Sequence, residues 1–139
     1  MPLGLLGPGD LSCDITHLGQ EITPVNDGSA TVCDLAGRSC KPCEGGVPPL
    51  DDQEVRGMAK QTPGWEVIDG RVTRQFEFKD HYQTMGFVNA VAWISHTENH
   101  HPDLEVGYNT CRVSYWTHAV DGLTENDFIC AAKVGALIA

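Results

Sequence analysis

Apolar and polar residues alternate with two different periods in the chain after Leu50, and these periods predict strands and helices. Residues 65–68 and 71–78 have the two-residue period of strands, and Asp69-Gly70 between them is typical of a tight hairpin turn. Residues 104–108 and 111–118 predict a second pair of strands, with a turn at Asn109. Alternate residues of each strand should lie on opposite faces. In the second strand one face has Val72, Arg74, Phe76 and Phe78, and the other has Thr73, Gln75 and Glu77. In the last strand one face has Val113, Tyr115 and Thr117, and the other has Arg112, Ser114, Trp116 and His118.

Three segments have the spacing and the start signals of helices. Asp51 or Asp52 can cap a short helix to about Lys60, and Asp80 with Gln83 resembles a capping box before a long helix to about Asn99. The run from Thr124 to Asp127 is a second capping-box pattern before a final helix. The apolar positions are Met85, Val88 and Ala92 beside Phe87, Val91 and Ile94 in the long helix, and Phe128, Ala131, Ala132, Val134 and Leu137 in the last.

The resulting order, α-β-β-α-β-β-α, predicts an α+β fold with a four-stranded antiparallel sheet covered on one face by helices. Residues 1–48 contain many Gly, Pro and Asp residues without sustained periodicity, and we interpret them as a flexible N-terminal extension. Residues 49–139 form the predicted folded domain.

Composition narrows the classes of partner. The 139 residues have a net charge of −10, which argues against direct binding to nucleic acid or to an anionic membrane. No segment approaches the roughly 20 apolar residues that cross a bilayer, and the first residues lack the basic start of a signal peptide. Of six cysteines, Cys111 and Cys130 fall in a predicted strand and helix, where buried free thiols are usual. We therefore expect a reducing, cytoplasmic setting.

Three of the six histidines lie within nineteen residues of one another: His100 and His101, followed by Pro102, and then His118. The first two leave the long helix and the third ends the last strand, so antiparallel layers would bring them to one rim of the sheet. Imidazole gives and takes protons near neutral pH, which favours proton-transfer chemistry. Solvated loop histidines without a joint role are the alternative.

Metal binding is a second interpretation. His96 and His100 are four residues apart and would share a helical face, as zinc ligands often do, but Thr97 stands where the zincin pattern requires Glu. Cys40-Lys41-Pro42-Cys43 is a single C-x-x-C without regularly spaced partners, and a pair of thiols in a flexible arm explains it as well. We expect no metal at either place.

Aromatic residues flank the histidines. Trp116 has the same strand parity as His118 and could form a wall for a flat heterocycle. Tyr115 and Trp93 are expected to pack in the core.

The chain resembles the pterin-4a-carbinolamine dehydratases over roughly residues 50–138. The resemblance is carried by Glu98-Asn99-His100-His101-Pro102, Tyr108, Trp116-Thr117-His118 and Gly122-Leu123-Thr124-Glu125-Asn126-Asp127, with Gly64-Trp65 and Phe76-Glu77-Phe78-Lys79-Asp80 before them. It implies an α+β fold that assembles into homodimers or homotetramers. The implied reaction is loss of water from 4a-hydroxytetrahydropterin to give quinonoid dihydropterin, which recycles tetrahydrobiopterin for an aromatic amino-acid hydroxylase.

By position, the resemblance implies a catalytic set and a pocket. The catalytic histidines would be His100, His101 and His118, the pocket would be lined by Asn99, His100, His101, Pro102, Trp116, Thr117, His118 and Ala119, and Asp127 and His96 would support the site. Two positions depart from the family pattern: His96 replaces a common Glu, and Asn126 replaces a common Arg. We expect these changes to affect rate and pH optimum more than activity itself.

Neither proton transfer in this reaction needs a metal, another cofactor or a covalent intermediate. Our hypothesis is that His100 and His118 are the acid–base pair and that His101 orients the pterin, with the acid and the base not assigned. The alternative function is a non-catalytic dimerisation or assembly partner that uses the same fold. The intact histidine triad favours the enzyme.

Overall fold

A computed structural model describes residues 35–42 and 48–138, and the predicted order of elements is confirmed between residues 48 and 138. In chain order the elements are α1 (Asp52–Ala59), β1 (Glu66–Ile68), β2 (Arg71–Glu77), α2 (His81–Glu98), β3 (Asp103–Val106), β4 (Thr110–Tyr115), a 3₁₀ turn (His118–Val120) and α3 (Glu125–Ala136). The fold is therefore α+β, as the hydrophobic pattern predicts. None of the described helices is both long enough and apolar enough to span a membrane.

The four strands form one antiparallel sheet in the order β1-β2-β4-β3. The β1–β2 hairpin turns at Asp69 and Gly70, whose φ angles of 50° and 71° match the positive values that such a turn requires. In the central pair, Val72 lies opposite Tyr115 and Phe76 lies opposite Cys111. This register places the apolar residues of both strands on the same face, so the predicted parity of the strands is confirmed.

The helices cover that apolar face and make the core. Val72, Phe76, Val113 and Tyr115 from the sheet are buried there, together with Phe87 and Val91 from α2 and Phe128, Ile129 and Val134 from α3. The other face of the sheet is polar, and none of the described helices covers it. On it the Thr73 hydroxyl donates to the Ser114 hydroxyl at 3.1 Å, and Arg71 pairs with Asp103 at 2.8 Å.

Helix α2 differs from the prediction in which residues it buries. Its N-terminus is capped by Asp80, which accepts from the Gln83 amide at 2.9 Å. Phe87 and Val91 are buried as predicted, but Met85 is 37% exposed and Trp93 is 67% exposed. The prediction of core packing for Trp93 is wrong, because two residues beyond Val91 a helical side chain points about 200° away from the buried row.

Strand β4 is shorter than predicted and ends at Tyr115. Trp116 and Thr117 leave the strand, Thr117 pairs with Gly122 in an isolated bridge, and His118 begins the 3₁₀ turn. His118 therefore lies on a turn beyond the sheet, three residues after the last strand residue.

Residues 35–42 pack against the folded domain. Leu35 is fully buried in the core, and Arg38 pairs with Glu125 at the start of α3 at 2.6 Å. This part of the predicted extension is packed, whereas residues 1–34 and 43–47, including Cys43 of the C-x-x-C, lie outside the described residues. A domain boundary near residue 48 stays a prediction. Cys111 and Cys130 are buried free thiols, as expected.

Candidate active site

The end of α2 sets the direction of His100. Asn99 caps the helix in the left-handed conformation, with φ of 51° and ψ of 40°, and the His100 amide donates back to the Ser95 carbonyl at 3.1 Å. The imidazole is then directed inwards, where only 11% of its side chain is exposed. It stacks on the Tyr115 ring with centroids 5.8 Å apart and planes 13° apart. Burial raises the pKa of Tyr115, so that ring stays a neutral platform.

A fully buried carboxylate holds this imidazole. Asp127 Oδ1 lies 2.6 Å from His100 Nε2, while Asp127 Oδ2 accepts from the Thr117 hydroxyl at 2.8 Å and from the Thr124 amide at 2.9 Å. The Thr117 and Thr124 hydroxyls are 2.9 Å apart and link the group further. A carboxylate with several donors fixes both the ring orientation and the nitrogen that bears the proton.

The other two histidines form an exposed pair. The rings of His101 and His118 stack with centroids 5.8 Å apart and planes 22° apart. Because His101 follows α2 and His118 follows β4, this contact shows that the two element ends meet at one rim of the sheet, as the order of elements predicts. The site thus combines one largely shielded imidazole and two that face solvent.

Trp116 forms one side of the exposed pair. Its ring centroid is 3.8 Å from that of His118. The indole is held from behind, since its Nε1 donates to Asp103 Oδ2 at 3.2 Å and the Arg71 guanidinium lies 5.0 Å from its centroid. Arg71 and Asp103 are themselves paired. Two charged residues that the sequence interpretation missed therefore fix the aromatic wall.

The remaining predicted residues fall in different surroundings. Asn99 and Ala119 are exposed at the rim, Pro102 is half-buried, and Thr117 is buried with its hydroxyl on Asp127. The His96 ring packs on exposed Trp93, with centroids 5.4 Å apart. Within residues 35–42 and 48–138, no group of three or more His, Cys, Asp or Glu side chains is placed to hold a metal ion.

Asn126 explains one departure from the family pattern. It is buried, accepts from the Lys41 amide at 3.0 Å and donates to the Lys41 carbonyl at 2.7 Å. It therefore anchors residues 35–42 directly beside Asp127. No signal in the local sequence could have revealed this contact, because the two residues are 85 positions apart.

A broad groove of about 860 Å³ lies elsewhere, on the open face of the sheet, where Arg71, Thr73 and Ser114 are among its lining residues. The three histidines are not part of its lining. The lining of the groove has arginine, glutamate and hydroxyl side chains but no imidazole.

Comparisons with known proteins identify the family of this chain. Residues 48–137 match the family described as Pterin 4 alpha carbinolamine dehydratase. A protein of Nitrosomonas eutropha named "Putative pterin-4-alpha-carbinolamine dehydratase" is 64% identical over 108 residues, which are 77% of this chain and 96% of that protein. A protein of the same name from Dechloromonas aromatica is 54% identical over 109 residues, 78% of this chain and 97% of the relative.

A solved structure has the same fold. The crystal structure of a transcriptional coactivator/pterin dehydratase from Brucella melitensis superposes with a TM-score of 0.63 at 31% identity, and covers 66% of this chain and 99% of its own. From the match over residues 48–137, together with these relatives, the chain belongs to the pterin-4-alpha-carbinolamine dehydratase family.

Proposed function

We propose that this protein catalyses the dehydration of 4a-hydroxytetrahydropterin to quinonoid dihydropterin. The observation that supports it is the presence of a largely shielded, carboxylate-held His100 together with the exposed His101–His118 stack. The reaction needs one proton delivered and another removed at different atoms of a bicyclic ring. Such a site supplies imidazoles in two environments for those two tasks.

In the proposed mechanism His100 is the base. When its Nε2–H donates to Asp127, the lone pair is on Nδ1, and that nitrogen takes the proton from the pterin ring nitrogen. The buried carboxylate stabilises the imidazolium that forms, as in other His–Asp pairs. The electron pair of the broken N–H bond forms the new C=N bond and expels the 4a-oxygen.

His118 is the acid in this proposal. It is exposed, so its imidazolium can give a proton to the departing hydroxyl, which leaves as water, and can be reprotonated from solvent. His101 stacks on His118 and orients the pterin, while Trp116 offers its face to the flat ring. The two histidines then exchange protons with water, and the enzyme returns to its starting state.

The test uses the rate at which 4a-hydroxytetrahydropterin disappears when a phenylalanine hydroxylase generates it. His100→Ala and His118→Ala are each expected to reduce this rate by about 100-fold. His81→Ala is the matched control, because His81 is an exposed histidine at the other end of α2, stacked on Tyr108. Wild-type turnover in both His100 and His118 variants would overturn the mechanism.

In the cell this activity would serve the recycling of tetrahydrobiopterin for an aromatic amino-acid hydroxylase, with the chain acting as a homodimer or homotetramer.

Exposed Tyr82 and Trp93 on α2 favour a further protein contact on that helix, and the Brucella protein is described as a transcriptional coactivator as well as a pterin dehydratase. A non-catalytic partner function is therefore the second candidate. Two results together would favour this second candidate. The wild type would show no dehydratase activity, and a His100→Ala/His118→Ala protein would bind a partner as fully as the wild type does.

A further inference from the structure

Two thiols from distant parts of the chain lie in contact. Cys40 Sγ is 3.5 Å from Cys130 Sγ, although the residues are 90 positions apart. Cys130 is fully buried in the middle of α3, while Cys40 is partly exposed and also lies 3.7 Å from the Asn126 carbonyl oxygen. The contact joins residues 35–42 to the helix that bears Asp127.

The backbone on both sides of Cys40 is fixed. The Cys40 amide donates to Glu98 Oε2 at 2.7 Å, and the next residue, Lys41, makes two hydrogen bonds with the Asn126 side chain. Glu98 is in turn paired with Lys133 of α3 at 2.9 Å. These bonds hold the Cys40 thiol over Cys130 while both are reduced, so little conformational entropy remains to be lost if the sulfurs join.

We propose that Cys40 and Cys130 are a disulfide-forming pair, which fastens residues 35–42 to α3 under oxidising conditions. The bond would close a loop of some ninety residues that contains the sheet, α2 and all three site histidines. Such a crosslink stabilises the folded chain chiefly by restricting the unfolded one.

The reaction partner is a small disulfide such as oxidised glutathione. The Cys40 thiolate attacks one sulfur of glutathione disulfide, which forms a mixed disulfide and releases one glutathione thiolate. Cys130 then loses its proton to that thiolate and attacks the Cys40 sulfur, which releases the second glutathione as a thiolate, and this thiolate takes up the proton that Cys40 had given to water. Two protein thiols and one small disulfide thus give one protein disulfide and two small thiols, so electrons and protons balance.

Accessibility sets the order of these steps. The hydrogen bond with Cys40 and burial both raise the pKa of Cys130, which keeps it a protonated thiol until the neighbouring sulfur has been activated. Cys111 is also a buried thiol, on β4, and burial raises its pKa too. It serves as the matched control.

The test is peptide mapping of the full chain after exposure to oxidised glutathione. Remaining thiols are blocked with iodoacetamide, the protein is digested without reduction, and linked peptides are identified by mass. A peptide that joins Cys40 to Cys130 is expected from the wild type and from Cys111→Ser, and is expected to disappear in Cys40→Ser. The melting temperature of the wild type should rise on oxidation, and Cys40→Ser should show no such rise.

Two results would overturn the proposal. One is a wild-type map in which Cys40 is linked to Cys43, the partner in its C-x-x-C, with Cys130 alkylated or left as a thiol. The other is a map in which Cys40 and Cys130 stay unlinked after full oxidation of the exposed thiols. Because the wild-type map distinguishes these outcomes, a variant that folds poorly does not change the interpretation.

Discussion

The candidate site has an anchored half and an exposed half. In the anchored half, His100 is held by a carboxylate that is fully buried and has three donors within 2.9 Å. In the exposed half, the His101 ring contacts the His118 ring, and the His118 ring contacts Trp116. The two halves therefore place chemically identical rings under opposite constraints.

This difference separates two kinds of contribution. The anchored half ties the proposed chemistry to folding, because Asp127 also accepts from the Thr124 amide at the start of α3. The exposed half can change protonation and conformation at little cost to the fold. Substitutions in the first half should reduce activity and stability together, whereas substitutions in the second should reduce activity alone.

Asp127→Asn is expected to have a large effect on both activity and stability. The amide keeps the shape of the carboxylate, but its nitrogen donates hydrogens toward either His100 or the donors from Thr117 and Thr124. We expect dehydration to slow by about 100-fold and the free energy of unfolding to fall by about 2 kcal/mol. Steady-state assays and urea unfolding measure the two losses.

Asp121→Asn is the control for that substitution, since Asp121 is an exposed carboxylate in the loop before α3, in a left-handed conformation that Asn also adopts. It should behave as the wild type. Equal behaviour of the Asp127 and Asp121 variants would remove the anchored half from the mechanism.

Comparison of His100→Ala with His118→Ala tests the division directly. Loss of the His100 ring leaves a buried carboxylate without one partner and opens a space beside Tyr115, so we expect unfolding to become easier by about 2–3 kcal/mol. Loss of the exposed His118 ring should change the free energy of unfolding by no more than about 0.5 kcal/mol. Urea unfolding of both variants decides. Equal destabilisation would show that the two halves are not distinct.

Each half of the site was only partly predictable from sequence. Pro102 and the end of α2, which Asp80 caps as predicted, fix where His101 lies, whereas His118 lies on a turn after β4 and not on the strand that the sequence predicts. The bond from the Thr124 amide to Asp127 belongs to the capping box that the sequence predicts. The bonds between His100 and Asp127, and between residues 35–42 and Glu98 or Asn126, join residues far apart in the chain. Their pairing depends on tertiary packing, which no local periodicity encodes.

Trp93 shows the same limit from the opposite side. An aromatic residue on an amphipathic helix is usually buried, but its position relative to Val91 turns it outwards, so type alone misled the prediction. Helical phase, counted from the residues that face the sheet, would have given the right result.

Thr117→Val should have an intermediate effect. Valine preserves the volume but removes the hydroxyl that donates to Asp127 at 2.8 Å and contacts Thr124 at 2.9 Å. We expect a loss of about 1–2 kcal/mol in the free energy of unfolding and a decrease of several-fold in the dehydration rate, because His100 is then held less firmly. Thr73→Val, which removes a hydroxyl from the open face of the sheet, is the control and should change both quantities less. If the two valine variants lost equal stability, the Asp127 network would contribute no more than a surface contact.

Glu98→Gln should have the smallest effect on stability, and the size of that effect should depend on pH. Partial burial alone would raise the pKa of Glu98, but hydrogen bonds from the Cys40 amide and from Lys133 lower it below its ordinary value. The stabilisation by a carboxylate with a lowered pKa is present above its unfolded pKa and is lost as pH falls through the folded one. The free energy of unfolding of the wild type should therefore exceed that of Glu98→Gln by about 1 kcal/mol at neutral pH. This difference should shrink below about pH 4. Glu105→Gln, whose carboxylate is exposed and 3.7 Å from Arg112, should show almost no difference at any pH. Urea unfolding across this pH range measures both differences from wild type. If the difference for Glu98→Gln did not vary with pH, the charge of Glu98 would not hold residues 35–42 against the anchored half.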